Sequence, residues 1–239
     1  MKAALKLTIF LTFLGLLMAN NSLGHTLTSL NAEELIKLKK GEVVTVTFPS
    51  EEFKNAPWPV VKVYQLIDAT PLQAVSLFGA LDYQEKYVPK TLKSDPIKHI
   101  SSTEVLTEYE IEVPFPLQNA THVHGSLLKK LPNGHELSWY RVSSNSTEEA
   151  KGFARFTSHE NKTLMEYQTF IIPKSIFGSL VKKIMVKDVT NTVVAIKNHV
   201  EKLAKENHPI LKKYVEFTEK SYKGENVYQS EIELNTQKK

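Results

Sequence analysis

Cysteine is absent from the 239 residues, so the chain has no disulfide, no cysteine nucleophile and no lipid-modified cysteine anchor. Arginine is nearly absent: Arg141 and Arg155 are the only two among 30 basic residues. Each is therefore a candidate for a task that lysine performs poorly, the bidentate grip of a carboxylate or phosphate. An excess of one charge sign is also missing. The formal net charge is +4, and removing the leader lysines Lys2 and Lys6 leaves 28 basic against 26 acidic residues with the signs interspersed, which excludes a nucleic-acid footprint. There is no Gly-x-Ser-x-Gly elbow and no Gly-rich phosphate loop, so neither a serine-hydrolase nor a nucleotide-binding signature is available.

What is present begins with a leader. Lys2 and Lys6 precede an apolar core from Leu7 to Met18, and Ser22-Leu23-Gly24 forms a small-x-small cleavage site, so residues 1–24 are expected to be a signal peptide. The apolar core is too short to span a bilayer. The expected destination is export, to the periplasm in a bacterium or to the outside otherwise. The remaining chain is one domain of ordinary size, able to bury a substantial core without disulfides. Asn119, Asn145 and Asn161 stand in glycosylation-type triplets in expected loops.

Along the mature chain, a short helix is expected at Asn31 to Lys40, a β-rich run at Glu42 to Phe48 and a strand at Trp58 to Ile67. Thr70-Pro71 then starts a helix carrying Leu72, Val75, Phe78 and Leu81 at helical spacing. Strands follow at about Ile97–Val105, Thr107–Val113, Thr121–Leu131, His135–Ser144, Lys151–His159 and Thr163–Ile172. Glu108, Glu110 and Glu112 alternate with Tyr109, Ile111 and Val113, the period of a sheet wet on one face. From Ser175 on, Phe177, Val181, Met185, Val189, Val193, Ile196, Val200 and Leu203 draw one apolar stripe along a helix of about 29 residues, roughly 43 Å long. Only a whole curved sheet can cover it. The expected fold is α+β: a helix-grip, with a curved antiparallel β-sheet wrapped around a long C-terminal α-helix.

Between Glu110 and Val142, two prolines, Pro114 and Pro116, fix a corner between strands, and Asn133-Gly134 marks a hairpin. The segment VPFPLQNATHV resembles the proline, aromatic, proline corner of the steroidogenic acute regulatory protein-related lipid-transfer (START) family. It stands as a diverged branch, with Ala120 and Thr121 where that family usually has an arginine and an aspartate. TLMEYQTFIIPKSIFGSLVKKIM resembles the family's last strand and the start of its closing helix. The resemblance covers about Val60 to Leu203 and implies a START-like domain at residues 58–207, preceded by an N-terminal extension at 25–57; the tail at 208–239, with a helical stretch expected at Ile210 to Tyr222 and a polar end, partly disordered, lies outside it. The resemblance also implies an internal cavity for a lipid or other hydrophobic small molecule.

Hairpin centres give an expected register. A turn at Asn133-Gly134 pairs Ser126 with Arg141 and Leu128 with Trp139. A loop centred on Glu148 pairs Arg141 with Arg155. One centred on Asn161 pairs Arg155 with Tyr167 and Phe153 with Thr169. A single face then holds His122, His124, Ser126, Leu128, Leu137, Trp139, Arg141, Phe153, Arg155, Met165, Tyr167, Thr169 and Ile171, joined by Tyr109 and Ile111, and a slip of one residue in any strand reverses it. On this register the two arginines face each other and grip an anionic head group; the alternative is that both point outward to glutamates such as Glu166.

His122 and His124 share one side of a strand, a spacing that can hold a metal, but His135 is too far along the ladder to be a third ligand, so no metal is expected; the two fit either a polar patch of the pocket or ordinary solvent-facing or hydrogen-bonded histidines. Trp139, Tyr109, Phe153 and Tyr167 fit either a pocket wall or solid core. Lys174, Lys182, Lys183 and Lys187 fit either a solvated helix face or transient contact with an anionic membrane. The expected function is a non-catalytic binder or carrier without cofactor; the alternative is a cavity enzyme such as a cyclase or hydrolase using His122 or His124 for proton transfer.

Overall fold

The computed structural model describes residues 30–52, 58–113, 118–174 and 178–237. The leader, the proline corner at 114–117 and the stripe residue Phe177 lie outside the described residues. The chain divides into two units, Met1–Glu42 and Val43–Lys239. In the first, helix α1 (Ala32–Lys39) starts at a reciprocal cap: Asn31 Oδ1 accepts from the Glu34 amide at 2.9 Å, and Glu34 Oε2 accepts from the Asn31 amide at 2.8 Å.

The second unit is built on an antiparallel sheet of eight strands in the order β1-β2-β8-β7-β6-β5-β4-β3. The strands are β1 (Val44–Pro49), β2 (Pro59–Ile67), β3 (Thr91–Ser101), β4 (Glu104–Ile111), β5 (Ala120–Leu131), β6 (Gly134–Ser144), β7 (Thr147–His159) and β8 (Lys162–Pro173). The expected break at Leu106 is not where the chain turns; Ser102 and Thr103 make the reversal, so β3 begins earlier and β4 ends at Ile111. β3 through β8 follow one another as hairpins, whereas β2 closes the order by pairing with β8.

Helix α2 (Pro71–Phe78) begins as its residues dictate, with Thr70 as N-cap and Pro71 in the first turn, and packs on β6 and β7. Helix α3 (Gly178–Lys205) is the gripped element. Val189, Val193, Ile196, Val200 and Leu203, at steps of four and three, are all buried, and the helix packs against β2 and α2. Polar ties fix its position: Gln65 Nε2 donates to the Val193 carbonyl at 2.8 Å, and the Asp68 amide donates to Glu201 Oε1 at 2.7 Å.

After His208 the expected helical stretch is present, and a further helix stands where a partly disordered end is expected. His208 caps helix α4 (Pro209–Tyr222), whose Leu211, Tyr214, Thr218 and Ser221 are buried against α2, and α5 (Gln229–Gln237) packs on β3. Tyr228, between them, donates to the Gly79 carbonyl at 2.7 Å and accepts from the Leu81 amide at 3.1 Å. Leu211 and Tyr214 belong to the same core as Val61, Phe156 and Val193.

Candidate functional site

Pairing fixes which residues share the inner face of the sheet. From β2 to β4 it carries Val61, Val63, Gln65 and Ile67; Met165, Tyr167, Thr169 and Ile171; Gly152, Ala154 and Phe156; Leu137, Trp139 and Arg141; His122, His124, Ser126 and Leu128; and Thr107, Tyr109 and Ile111. Tyr109, Ile111, His122, His124, Ser126, Trp139, Arg141, Met165, Tyr167 and Thr169 therefore stand on one face, as their sequence pattern suggests. Phe153 and Arg155 do not.

The reason is one of counting. The β6–β7 hairpin turns on Asn145 and Ser146, so Trp139 pairs with Gly152 and Tyr140 with Lys151, five positions from a register centred on Glu148. An odd shift reverses every side chain of β7. Arg155 thus stands on the outer face opposite Glu136 and Glu166, where Nη2 approaches Glu136 Oε2 at 2.7 Å and Nη1 approaches Glu166 Oε2 at 3.2 Å. Its guanidinium also covers the Phe153 ring at 4.8 Å. The next hairpin turns on Glu160 and Asn161, pairing Arg155 with Glu166 rather than Tyr167, and this second odd shift restores β8 to the expected face. In the β5–β6 hairpin the slip is even: Ser126 pairs with Trp139 and Leu128 with Leu137, so the face is unchanged.

The inner face has two regions. Towards β2, β7 and β8, Val61, Val63, Ile67, Ala154, Phe156 and Met165 are sealed under α2 and α3. Phe78 of α2 stands at the centre of an aromatic group, 5.5 Å from Phe156 and 6.1 Å from Trp139 between ring centroids, and Trp139 lies 5.0 Å from Tyr167. A small cavity of about 30 Å³, room for roughly one water, lies where α2 and α4 meet Leu137 and Ser126. It is away from the histidines.

Towards the ends of β4, β5 and β6 the face turns polar. His122 stands opposite Tyr109 and Ser144, and His124 opposite Thr107 and Arg141; the histidines share the inner side by alternation along β5, and a bulge at Val142 brings Arg141 and Ser144, three positions apart on β6, opposite them. The His122 and His124 rings are 5.4 Å apart, and Tyr109 is 5.6 Å from His124. His122 Nδ1 and the Ser144 hydroxyl form a hydrogen bond of 2.9 Å. His124 Nε2 and Arg141 Nε are buried without a hydrogen-bond partner, and Arg141 makes no ion pair among the described residues. Burial, the neighbouring His122 and Arg141 push His124 down to about 4; burial and Arg141 lower His122.

That shift has a sign. The unfolded chain binds a proton on His124 near its ordinary value of 6.5, while the folded chain holds the ring neutral until about pH 4. Stability is fully present above about 6.5 and falls as pH drops towards 4, by on the order of 3 kcal/mol for this group. Urea midpoints of wild type and His124→Asn at pH 7.5 and 4.5 test this. The variant loses markedly less stability on acidification; equal losses would overturn the assignment.

Among the described residues no three His, Asp or Glu side chains are placed to hold a metal. His135 bonds Tyr222 Oη at 2.8 Å instead. Residues that the pattern misses come from outside the sheet. Tyr87, in the segment between α2 and β3, stacks on His199 of α3 at 4.8 Å, and Lys90 pairs with Asp188 of α3 at 2.7 Å, so this segment straps the closing helix. Lys174 Nζ donates to the Ser144 carbonyl at 2.8 Å, beside the polar end. No periodicity marks these positions.

No family model and no curated protein matches the sequence. Solved structures do. A STAR-related lipid transfer protein from Xanthomonas axonopodis superposes with a TM-score of 0.59 at 17% identity, over 66% of this chain and 93% of that one. Human StAR-related lipid transfer protein 5 gives 0.56 at 12%, over 69% and 82%. The Zhui aromatase/cyclase from a Streptomyces species gives 0.51 at 11%, over 62% and 94%. Identities this low establish the shared fold alone.

Proposed function

We propose that this chain, which has the START-type helix-grip fold, holds one lipid-like or other hydrophobic molecule between the inner face of its sheet and the closing helix, as a binder or carrier rather than a catalyst. One observation carries the reading. Tyr109 and Tyr167 lie deep among protein atoms, deep enough that burial pushes the Tyr109 phenol up to about 12 and Tyr167 further, yet both side chains remain only partly buried. The part of each ring that its neighbours leave uncovered, Tyr167 beside Phe78 and Trp139 and Tyr109 beside His124, is surface that a ligand can cover. Trp139, Leu128, Ile111, Ile171, Met185 and Val186, also partly buried, supply apolar surface for burial at about 25 cal/mol per Å².

Proton-transfer chemistry is disfavoured by the same cluster. An imidazole that titrates near 4 is a weak base at neutral pH, and His122 is lowered as well. Export is proposed from the leader. Contact with an anionic membrane is proposed from the exposed Lys182, Lys183 and Lys187, with Ile184 at 42% exposure between them.

Native mass spectrometry of the protein purified from the exported fraction of an expression host reads both proposals. The expected spectrum shows a chain beginning near His25 plus one apolar molecule that is released on activation. A spectrum of unliganded protein that also fails to take up added lipid overturns the binding reading, and a chain retaining residues 1–24 overturns cleavage.

A further inference from the structure

Resting on that binding reading, we infer that the ligand is an amphiphile with a monoanionic carboxylate head, seated on Arg141 between His122 and His124. A guanidinium on the inner face with a buried, unpartnered Nε is a cost to the empty protein unless something pairs with it. Among the described residues no carboxylate forms an ion pair with Arg141. No carboxylate acts on either imidazole, and the charged neighbour they both sense is Arg141. Lys174, bonded to the Ser144 carbonyl, adds a further positive charge at the same strand end. Arg155, by contrast, is neutralised by Glu136 and Glu166 on the other face.

The chemistry of the seat selects the head. Arg141 is the permanently charged group of the inner-face cluster, burial and its charge disfavour protonation of both imidazoles, and one negative charge pairs with it. The planar fork of a guanidinium matches the planar carboxylate, and the unpartnered His124 Nε2 offers a further hydrogen bond to the second oxygen. The partly buried aromatic and aliphatic surface beside it takes the apolar body. Arginine here is not interchangeable with lysine, which cannot present two parallel donors.

The test titrates delipidated protein with oleate and with methyl oleate, following tryptophan fluorescence, in wild type, Arg141→Gln, Arg141→Lys and Arg155→Gln, with far-ultraviolet circular dichroism to confirm that each is folded. Arg141→Gln is expected to weaken oleate roughly ten- to hundredfold while changing methyl oleate less than about twofold. Arg141→Lys should recover part of the loss, and Arg155→Gln should leave both ligands as in wild type. Equal weakening of acid and ester in Arg141→Gln, or none, overturns the inference while leaving apolar binding intact. Wild type that takes up neither probe sinks the binding reading itself. A lysophosphatidylcholine that competes better than oleate replaces the carboxylate with a phosphodiester and overturns the assignment of the head.

Discussion

Val193→Asp is expected to remove about 4 kcal/mol or more of folding stability, enough to leave much of the protein unfolded in dilute buffer. Val193 is fully buried in the middle of the closing helix, flanked on the same stripe by Val189, Ile196 and Val200, and its carbonyl receives the Gln65 side chain at 2.8 Å. The substitution loses the transfer energy of a buried valine, roughly 2 kcal/mol, and adds a carboxyl that must either stay charged without a partner or take up a proton. Asn191→Asp is the matched control, because Asn191 lies two residues away on the exposed side of the same helix. Urea midpoints should put the control within about 0.5 kcal/mol of wild type. If Val193→Asp matched the control, the stripe would not be what the sheet grips.

Gly152→Val is expected to cost about 3 kcal/mol and to disturb the candidate site at the same time. A Cβ at this position would stand 2.2 Å from the Gln168 carbonyl of β8 and 2.4 Å from the Trp139 ring. The carbonyl cannot retreat without opening the β7–β8 pairing, and the ring cannot retreat without leaving Tyr167, 5.0 Å away. Glycine here lets an indole lie flat on the strand. A lowered urea midpoint together with an altered near-ultraviolet circular dichroism spectrum is the expected result, and a variant matching wild type in both measurements would mean that the indole does not occupy that position.

The same two strands show what can be read in the sequence. The grip was legible because its signals are periodic: the stripe from Val189 to Leu203 repeats at helical steps, and Glu108 to Val113 alternates as a half-wet strand must. Register was less so. It depends on how many residues each turn consumes, and Asn145-Ser146 and Glu160-Asn161 carry no dipeptide as directive as Asn-Gly. One odd miscount turned Arg155 and Phe153 outward, and a second returned Tyr167 and Thr169 to the face on which they were expected. The buried set of α4 was illegible for another reason. Its helix is readable at Ile210 to Tyr222, but of Leu211, Tyr214, Thr218 and Ser221 three carry hydroxyls, so polarity alone does not say that this face is covered. Tyr87 and Lys90 belong to an aperiodic segment, and only the folded chain brings them to α3.

The anchorage of Tyr228 sets a clock on assembly. Its hydroxyl reaches the Gly79 carbonyl across 149 residues of chain, and β2 finds its partner β8 about as late, with Tyr64 and Glu166 102 positions apart. Contacts this remote reward the chain only after long loops have closed, which slows folding. During synthesis the second strand waits for β8, and the end of the first core helix waits for Tyr228, which is made almost last. The interval is when chaperones and proteases meet this protein, and its length follows from the order of the strands rather than from the stability of the finished molecule.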